Sequence, residues 1–177
     1  MNAGSAGSRN DALNADFRDF IEAMNSTRVE FVLVGGYAIG VYGVIRATAD
    51  IDFLYRRTAD NVARLCQAMT EFGAPTNVTA AAVLLTPDTV VMFGAPPCRI
   101  DLLGDISGVG FDAVWSGSMT IRIDALPLRV IGLAELRQNK RSSGRPKDQA
   151  DLEQLSALAR SGKAASKSAI KSRRRPR

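Results

Sequence analysis

The chain has 177 residues, a net charge of +5 and 46% hydrophobic residues, which suits one domain with a single core. It contains no histidine and only two cysteines, so serine–histidine and cysteine–histidine catalytic pairs, histidine-ligated metals, four-thiolate zinc sites and disulfide frameworks are excluded. Any catalysis must therefore use carboxylates, backbone donors, Lys or Arg side chains, or a hard metal ion.

The first part of the chain predicts alternating helices and strands. A cap at Asn10 or Asp11 precedes apolar residues at helical spacing, and a later apolar run ends abruptly at Gly35-Gly36, as a buried strand does at a tight turn. The predicted segments are a helix over 13–24, a strand over 30–34, a short helix over 37–42 and a strand over 50–55.

The rest of the chain predicts more short strands between helices. The segments are helices over 59–72 and 78–85, a hairpin of strands over 89–93 and 98–103, strands over 119–123 and 128–131, and helices over 132–141 and 146–160. Phe111 and Trp115 are predicted to be core residues of a loop. The pattern favours an α/β (α+β) fold in which helices flank a mixed sheet of five or six strands.

The two ends of the chain are predicted to lie outside the folded domain. We expect a disordered N-terminus over 1–10, rich in Gly, Ser, Ala and Asn, and a domain over 11–161. A disordered basic tail is expected over 162–177, since 163–177 hold seven basic and no acidic residues. No stretch reaches the ~20 apolar residues of a membrane span, and no secretory signal is present, so we expect a cytoplasmic protein.

Three aspartates interrupt predicted apolar strands. Asp50 and Asp52 are two residues apart, so their side chains share one face of a strand at about 7 Å. Asp101 interrupts another strand, and the three carboxylates converge if the two strands pair. Such a cluster needs a cation, and oxygen donors alone select Mg²⁺ or Mn²⁺, two of which can clamp a phosphoryl displacement. The alternative is an edge strand with a solvated face.

The order strand, Gly-Gly, helix and Asp-x-Asp strand is a more specific signal than any one of its parts. The segment 34–53, VGGYAIGVYGVIRATADIDF, resembles the signature of the nucleotidyltransferase superfamily, which has a DNA polymerase β-like fold. The segment 132–153 is similar to the Lys-rich turn and Lys-Asp-x-x-Asp helix of small bacterial proteins grouped with abortive-infection nucleotidyltransferase toxins. The resemblance covers about residues 12–160.

The resemblance implies a role for each motif residue. The glycine turn holds the nucleoside triphosphate, the Asp-x-Asp pair binds both metal ions, and the third acid holds the ion that activates the incoming hydroxyl. In this sequence these residues are Gly35 and Gly36, Asp50 and Asp52, and Asp101, respectively. Asp105 is a rival third acid, but it follows Gly104 beyond the apolar strand, so Asp101 is preferred.

Four further residues are candidates for contacting nucleotide phosphates. They are Arg46, Thr48, Lys140 and Lys147. The first two could instead contact loop backbone. In the second group, Asp148 and Asp151 lie on one helix face and could pair with Arg145 or Lys147 in a structural network.

The implied activity is the metal-dependent transfer of a nucleoside monophosphate from an NTP to a hydroxyl. The expected acceptors are an RNA or tRNA end, a protein side chain or a small molecule, and the expected partners include RNA at the basic tail and an antitoxin or toxin protein. One alternative is a nucleotide- or RNA-binding module with little turnover. Another is a nucleic-acid-binding protein dominated by the tail. The intact acids favour the enzyme.

Overall fold

The structure, a computed structural model, describes residues 13–45, 47–123 and 125–172, with side chains up to residue 160. The predicted N-terminal segment 1–10, the candidate Arg46 and the last tail residues 173–177 lie outside the described residues. Within the described part of the chain, no helix combines the length and hydropathy that crossing a bilayer requires.

Helices and strands alternate along the described chain. They are α1 (Ala15–Ser26), β1 (Phe31–Val34), α2 (Gly35–Val41), β2 (Asp50–Tyr55), α3 (Ala59–Phe72), α4 (Ala81–Leu85), β3 (Val90–Phe93), β4 (Arg99–Leu103), α5 (Phe111–Gly117), β5 (Met119–Ile123), β6 (Leu126–Val130), α6 (Leu133–Ser143) and α7 (Pro146–Ser172). The predicted mixed α/β architecture is confirmed.

The six strands form one mixed sheet in the order β3-β4-β2-β1-β6-β5. β2 pairs antiparallel with β1 and parallel with β4, while β1 pairs parallel with β6. The outer strands β3 and β5 run antiparallel to β4 and β6. Between β2 and β4 the chain passes through α3, α4 and β3, because a parallel pair needs a long crossover. The Asp-x-Asp strand therefore lies beside the strand of Asp101.

One face of the sheet is packed against α1. The ring of Phe20 in α1 contacts Phe53 of β2 and Phe93 of β3, with centroid distances of 6.1 and 5.3 Å. Side chains alternate along a strand, so burial of Phe53 on this face directs Asp50 and Asp52 to the opposite face. The hydrophobic core thus fixes the orientation of both aspartates.

The first and last helices differ from the sequence prediction at their outer ends. Asn14, not Asn10 or Asp11, caps α1, because its side chain accepts a backbone hydrogen bond from the first turn. At the other end, α7 continues through 161–172, where the sequence predicted the start of a disordered tail. That stretch contains one glycine, Gly162, but three alanines and no proline, so its composition permits helix.

Helix α5 replaces the predicted loop around Phe111 and Trp115. The two rings are stacked with centroids 5.6 Å apart. The guanidinium of Arg56 lies 4.5 Å from the centre of the Phe111 ring, and that of Arg129 lies 4.0 Å from the centre of the Trp115 ring. Val114 is fully buried. Tertiary contacts of this kind stabilise a short helix that local sequence does not predict.

A buried ion-pair network joins α6 to α7. Lys140 Nζ lies 2.6 Å from Asp148 Oδ1 and 3.0 Å from Asp151 Oδ2, and none of the three side chains is more than 4% exposed. Ser143 and Arg145 donate hydrogen bonds to Asp148 Oδ2. Burial alone would raise the pKa of Asp148, but hydrogen bonds from Lys140, Ser143 and Arg145 outweigh it and lower the pKa to about 2. Asp148 therefore keeps its negative charge at neutral pH.

We expect Lys140→Met to lower the free energy of unfolding by about 3–5 kcal/mol, because it removes the ammonium from two buried carboxylates. Lys147→Met is the matched control, since Lys147 is exposed on α7 and its replacement should change that free energy by less than about 0.5 kcal/mol. Urea unfolding at pH 7 measures both variants. Equal losses would contradict a stabilising role for the network.

Candidate active site

Three aspartates lie together on the sheet face opposite to α1. In the register of β2 with β4, Asp52 is directly opposite Asp101, and Asp50 is opposite Arg99. Neighbouring strands are about 4.8 Å apart, so these side chains are immediate neighbours. The strand pairing that the sequence prediction required is therefore present.

The cation between these carboxylates is the guanidinium of Arg99. Its Nε lies 2.7 Å from Asp101 Oδ1, and its Nη2 lies 2.9 Å from Asp101 Oδ2 and 2.6 Å from Asp50 Oδ2. The Thr48 hydroxyl lies 2.8 Å from Asp50 Oδ1 and 3.2 Å from the Asp50 carbonyl oxygen. The structure thus places the phosphate-binding candidate Thr48 against Asp50, where its hydroxyl orients the carboxylate.

Asp52 is in a different environment from the other two aspartates. Burial, followed by the neighbouring charges of Asp50 and Asp101, raises the pKa of Asp52 to about 6. A backbone hydrogen bond from Gly36 and the more distant charge of Lys140 oppose this increase without cancelling it. Asp52 is therefore the carboxylate of the three whose negative charge is least compensated by the described residues.

The two glycines that begin α2, directly after β1, allow this packing. Gly35 has φ of +66°, and a Cβ atom on it would lie 1.9 Å from Asp52 Oδ2. A Cβ on Gly36 would lie 2.8 Å from Thr48 Oγ1. At position 35, any residue with a Cβ atom would both clash with the Asp52 carboxylate and adopt an unfavourable left-handed conformation, and glycine avoids both costs. The Gly-Gly pair therefore sets how closely the turn approaches the aspartates.

A cavity of about 510 Å³, a volume typical of small-molecule sites, opens beside Asp50 and Asp52, and Asp101 is not part of its lining. Its wall on the sheet side includes Gly35, Gly36, Asp50 and Asp52, and the wall from α6 and α7 includes Lys140, Arg145 and Lys147. Val34, Asp88, Thr89, Val90, Leu103, Asp105, Ile106, Ser107, Asn139 and Ser143 complete the lining. Carboxylates thus face basic side chains across a space large enough for a nucleotide.

The remaining candidates differ in how available they are to a ligand. Lys140 lines the cavity but is buried and paired with two aspartates of α7, whereas Lys147 lines it and is exposed. Asp105, the rival third acid, also lines the cavity, and its carboxylate pairs with Arg57 at 2.9 Å. The predicted network of α7 aspartates is present, with Lys140 rather than Lys147 at its centre.

The aspartates have the chemistry of a site for a hard metal ion but not its arrangement. Among the described residues, no group of three or more His, Cys, Asp or Glu side chains is placed to hold an ion. Arg99 occupies carboxylate oxygens of Asp50 and Asp101. All the donors are carboxylate oxygens, which Mg²⁺ and Mn²⁺ prefer. Asp50, Asp52 and Asp101 thus match such an ion in the chemistry of their donors, while Arg99 holds the oxygens of two of them.

Comparison with solved structures identifies the fold. The chain is similar to the crystal structure of a Thermotoga maritima protein provisionally described as a nucleotidyltransferase, with a TM-score of 0.56 over 78% of this chain and 88% of that one. The chain has a nucleotidyltransferase-like fold. Sequence identity to that protein is 15%, so the likeness concerns the fold. No family model matches the chain, and a search of curated proteins found no match.

The nucleotidyltransferase-like fold brings together the five residues that the motifs singled out, but sequence reasoning missed Arg99. A usable signal was present, because Arg99 precedes Asp101 by two residues and therefore shares its face of β4. Asp88, Ser107 and Asn139 also line the cavity. Asp88 and Ser107 belong to no motif, and Asn139 lies in the segment 132–153 without being singled out there.

We expect Gly35→Ala to destabilise the protein by at least about 2 kcal/mol, because the new methyl group meets the Asp52 carboxylate in a left-handed conformation. Gly40→Ala is the matched control in the same helix, where a Cβ has nothing within 4 Å. There alanine should stabilise by about 0.5–1 kcal/mol. Chemical denaturation measures both, and an equal response of the two variants would argue against close packing at Gly35.

The raised pKa of Asp52 predicts a pH-dependent stability change. Its pKa is about 6 in the folded protein and 3.8 as the reference, so the folded state binds this proton more tightly and stability falls as pH rises from about 4 to 6. In metal-free buffer at pH 8 we expect Asp52→Asn to be more stable than wild type by about 1–2 kcal/mol. That is less than the roughly 3 kcal/mol of the whole shift, since Asp52 is only half-buried.

Thermal unfolding from pH 3.5 to pH 8 measures this effect. The advantage of Asp52→Asn should shrink to a small remainder at the acid end, where Asp52 is protonated in the folded state and mostly protonated in the unfolded state. Asp60→Asn on the exposed first turn of α3 is the control and should show no such trend. A constant difference between Asp52→Asn and wild type at every pH would contradict the raised pKa.

Proposed function

We propose that the protein is a metal-dependent nucleotidyltransferase that moves a nucleoside monophosphate from an NTP to a hydroxyl acceptor. The observation that carries the proposal is the placement of Asp50, Asp52 and Asp101 on neighbouring strands beside a Gly-Gly turn and a cavity of about 510 Å³. The nucleotidyltransferase-like fold supports it.

In the proposed reaction the acceptor oxygen attacks the α-phosphorus of the NTP. The bond between this phosphorus and the oxygen bridging to the β-phosphate breaks, pyrophosphate leaves, and the hydroxyl proton passes to a carboxylate oxygen of Asp101. Bound Mg²⁺ or Mn²⁺ supplies positive charge to the triphosphate and acidifies the attacking hydroxyl. Asp50, Asp52 and Asp101 would hold the two ions.

The residues on the other wall of the cavity would orient the triphosphate. Lys147 and Arg145 are exposed there, so they can reach anionic oxygens of the leaving pyrophosphate. Lys140 acts indirectly, because its pairing with two aspartates holds α6 and α7 in position. Arg46 belongs to the same proposed phosphate-binding set on the strength of the sequence resemblance.

The acceptor classes that we propose are those implied by the resemblance: an RNA or tRNA end, a protein side chain, or a small molecule. A place in a toxin–antitoxin or abortive-infection system belongs to the same proposal. The basic residues after 162 favour RNA among these acceptors, since Lys and Arg neutralise backbone phosphates.

The test is incubation with each α-³²P-labelled NTP, Mg²⁺ and, separately, total RNA, lysate protein or small metabolites. We expect label transfer to one acceptor class with stoichiometric release of pyrophosphate. Asp101→Asn should lower the transfer rate by roughly 10³-fold, about 4 kcal/mol of transition-state stabilisation. Asp60→Asn, remote from the cavity, should retain wild-type transfer.

Two outcomes would contradict the proposal. Labelled product that forms equally well with Asp101→Asn would place any activity elsewhere or in a contaminant. An NTP-dependent rise in melting temperature with no pyrophosphate release on any acceptor would instead indicate a nucleotide-binding module without turnover.

A further inference from the structure

The carboxylate cluster contains its own cation. Arg99 forms a two-pronged contact with Asp101, from Nε to Oδ1 at 2.7 Å and from Nη2 to Oδ2 at 2.9 Å. The same Nη2 bridges to Asp50 Oδ2 at 2.6 Å. Charge-assisted contacts with this fork geometry are among the stronger hydrogen bonds in proteins. Arg99 therefore holds two strands' carboxylates together across the β2–β4 pair.

These contacts leave no carboxylate oxygen of Asp50 or Asp101 without a partner. Arg99 contacts both oxygens of Asp101 and one of Asp50, and the Thr48 hydroxyl contacts the other. A divalent ion would need the same oxygens at about 2.0–2.2 Å. A divalent ion on these oxygens would lie close to the positive charge of the guanidinium, and like charges repel. The guanidinium and the ion therefore compete for the same carboxylates.

Arg99 is able to leave, in contrast to the buried lysine of the α6–α7 network. The Arg99 side chain is 32% exposed, while that of Lys140 is 4% exposed between two carboxylates. A long, partly solvated arginine can turn into water without opening the core. Lys140 is therefore held in place by its burial, whereas Arg99 can exchange its carboxylate contacts for contacts with water.

We propose that Arg99 is a built-in counter-ion that closes the carboxylate site to free divalent metal and is displaced when metal arrives together with a nucleoside triphosphate. The triphosphate gives the displaced guanidinium an anionic partner. Displacement of Arg99 is therefore less costly for a metal–NTP complex than for free metal. This inference rests on the proposed function for the identity of the ion and its substrate. Arg99 is in this role a positioning residue that regulates metal access.

The test titrates Mn²⁺ alone into the full-length protein by calorimetry, with no nucleotide present. If Arg99 covers the carboxylates about nine-tenths of the time, its removal in Arg99→Met should tighten Mn²⁺ binding roughly tenfold. Arg99→Lys keeps the charge without the fork and should tighten binding by less. Arg122→Met is the control, because Arg122 is exposed on β5 and donates to the carbonyl oxygen of Ala125, and should bind Mn²⁺ as wild type does.

Melting temperatures separate this role from a purely structural one. Without metal, Arg99→Met should melt below wild type, because the carboxylates lose their cation, and saturating Mn²⁺ should close that gap. A structural arginine would instead leave the variant less stable with and without Mn²⁺. Should Arg99→Met fail to fold, Arg99→Lys carries the same comparison.

The inference would be overturned if Arg99→Met bound Mn²⁺ no more tightly than wild type does. Where Arg99→Lys replaces it in the test, the same criterion applies to that variant. The titration needs no turnover, so it fails independently of the proposed function. Tighter Mn²⁺ binding without nucleotidyl transfer would leave the counter-ion role standing and remove the activity. If wild type transfers nucleotide but the Arg99 variants bind Mn²⁺ with unchanged affinity, the proposed activity stands and the counter-ion role is removed.

Discussion

Repulsion among three carboxylates on neighbouring strands is the constraint on which the site depends. The aspartates cannot turn away from one another, because the alternate side chains of β2 are anchored in the aromatic core. The structure compensates with the guanidinium of Arg99, the hydroxyl of Thr48 and the backbone N–H of Gly36. Each compensating group comes from a different segment, so the local electrostatics tie together the β1–α2 turn, the approach to β2, and β4.

Much of this arrangement could be predicted from sequence because it follows from strand periodicity. Aspartates at alternate positions in an apolar run must share a face, and Gly-Gly after an apolar run marks the end of the strand. The pairing of β2 with β4 needed the resemblance, because no local sequence pattern shows which strands lie next to each other in a sheet. Once the pairing is given, the position of Asp101 opposite Asp52 follows.

What the sequence did not predict depends on contacts between distant residues. Arg99 looks like an ordinary charged residue at the start of a strand, and its partner Asp50 is 49 positions away. Lys140 was a candidate for contacting phosphate because it lies in the segment that resembles the family, yet it pairs with two aspartates of the next helix. Helix α5 escaped prediction for the same reason, since Arg129 of β6 and Arg56, which directly follows β2, cover its aromatic rings. In each case the missing information was the identity of a tertiary partner.

The crossover between β2 and β4 also has a consequence for synthesis of the protein. A ribosome completes Asp50 and Asp52 well before it reaches Arg99 and Asp101, and the helices that form the opposite wall of the cavity come last. Chains grow from the N-terminus, so a nascent chain at that stage has an acidic strand with neither its counter-ion nor its neighbour. The cavity cannot form on such a chain. Any chemistry that it supports therefore begins only after translation has delivered the C-terminal helices.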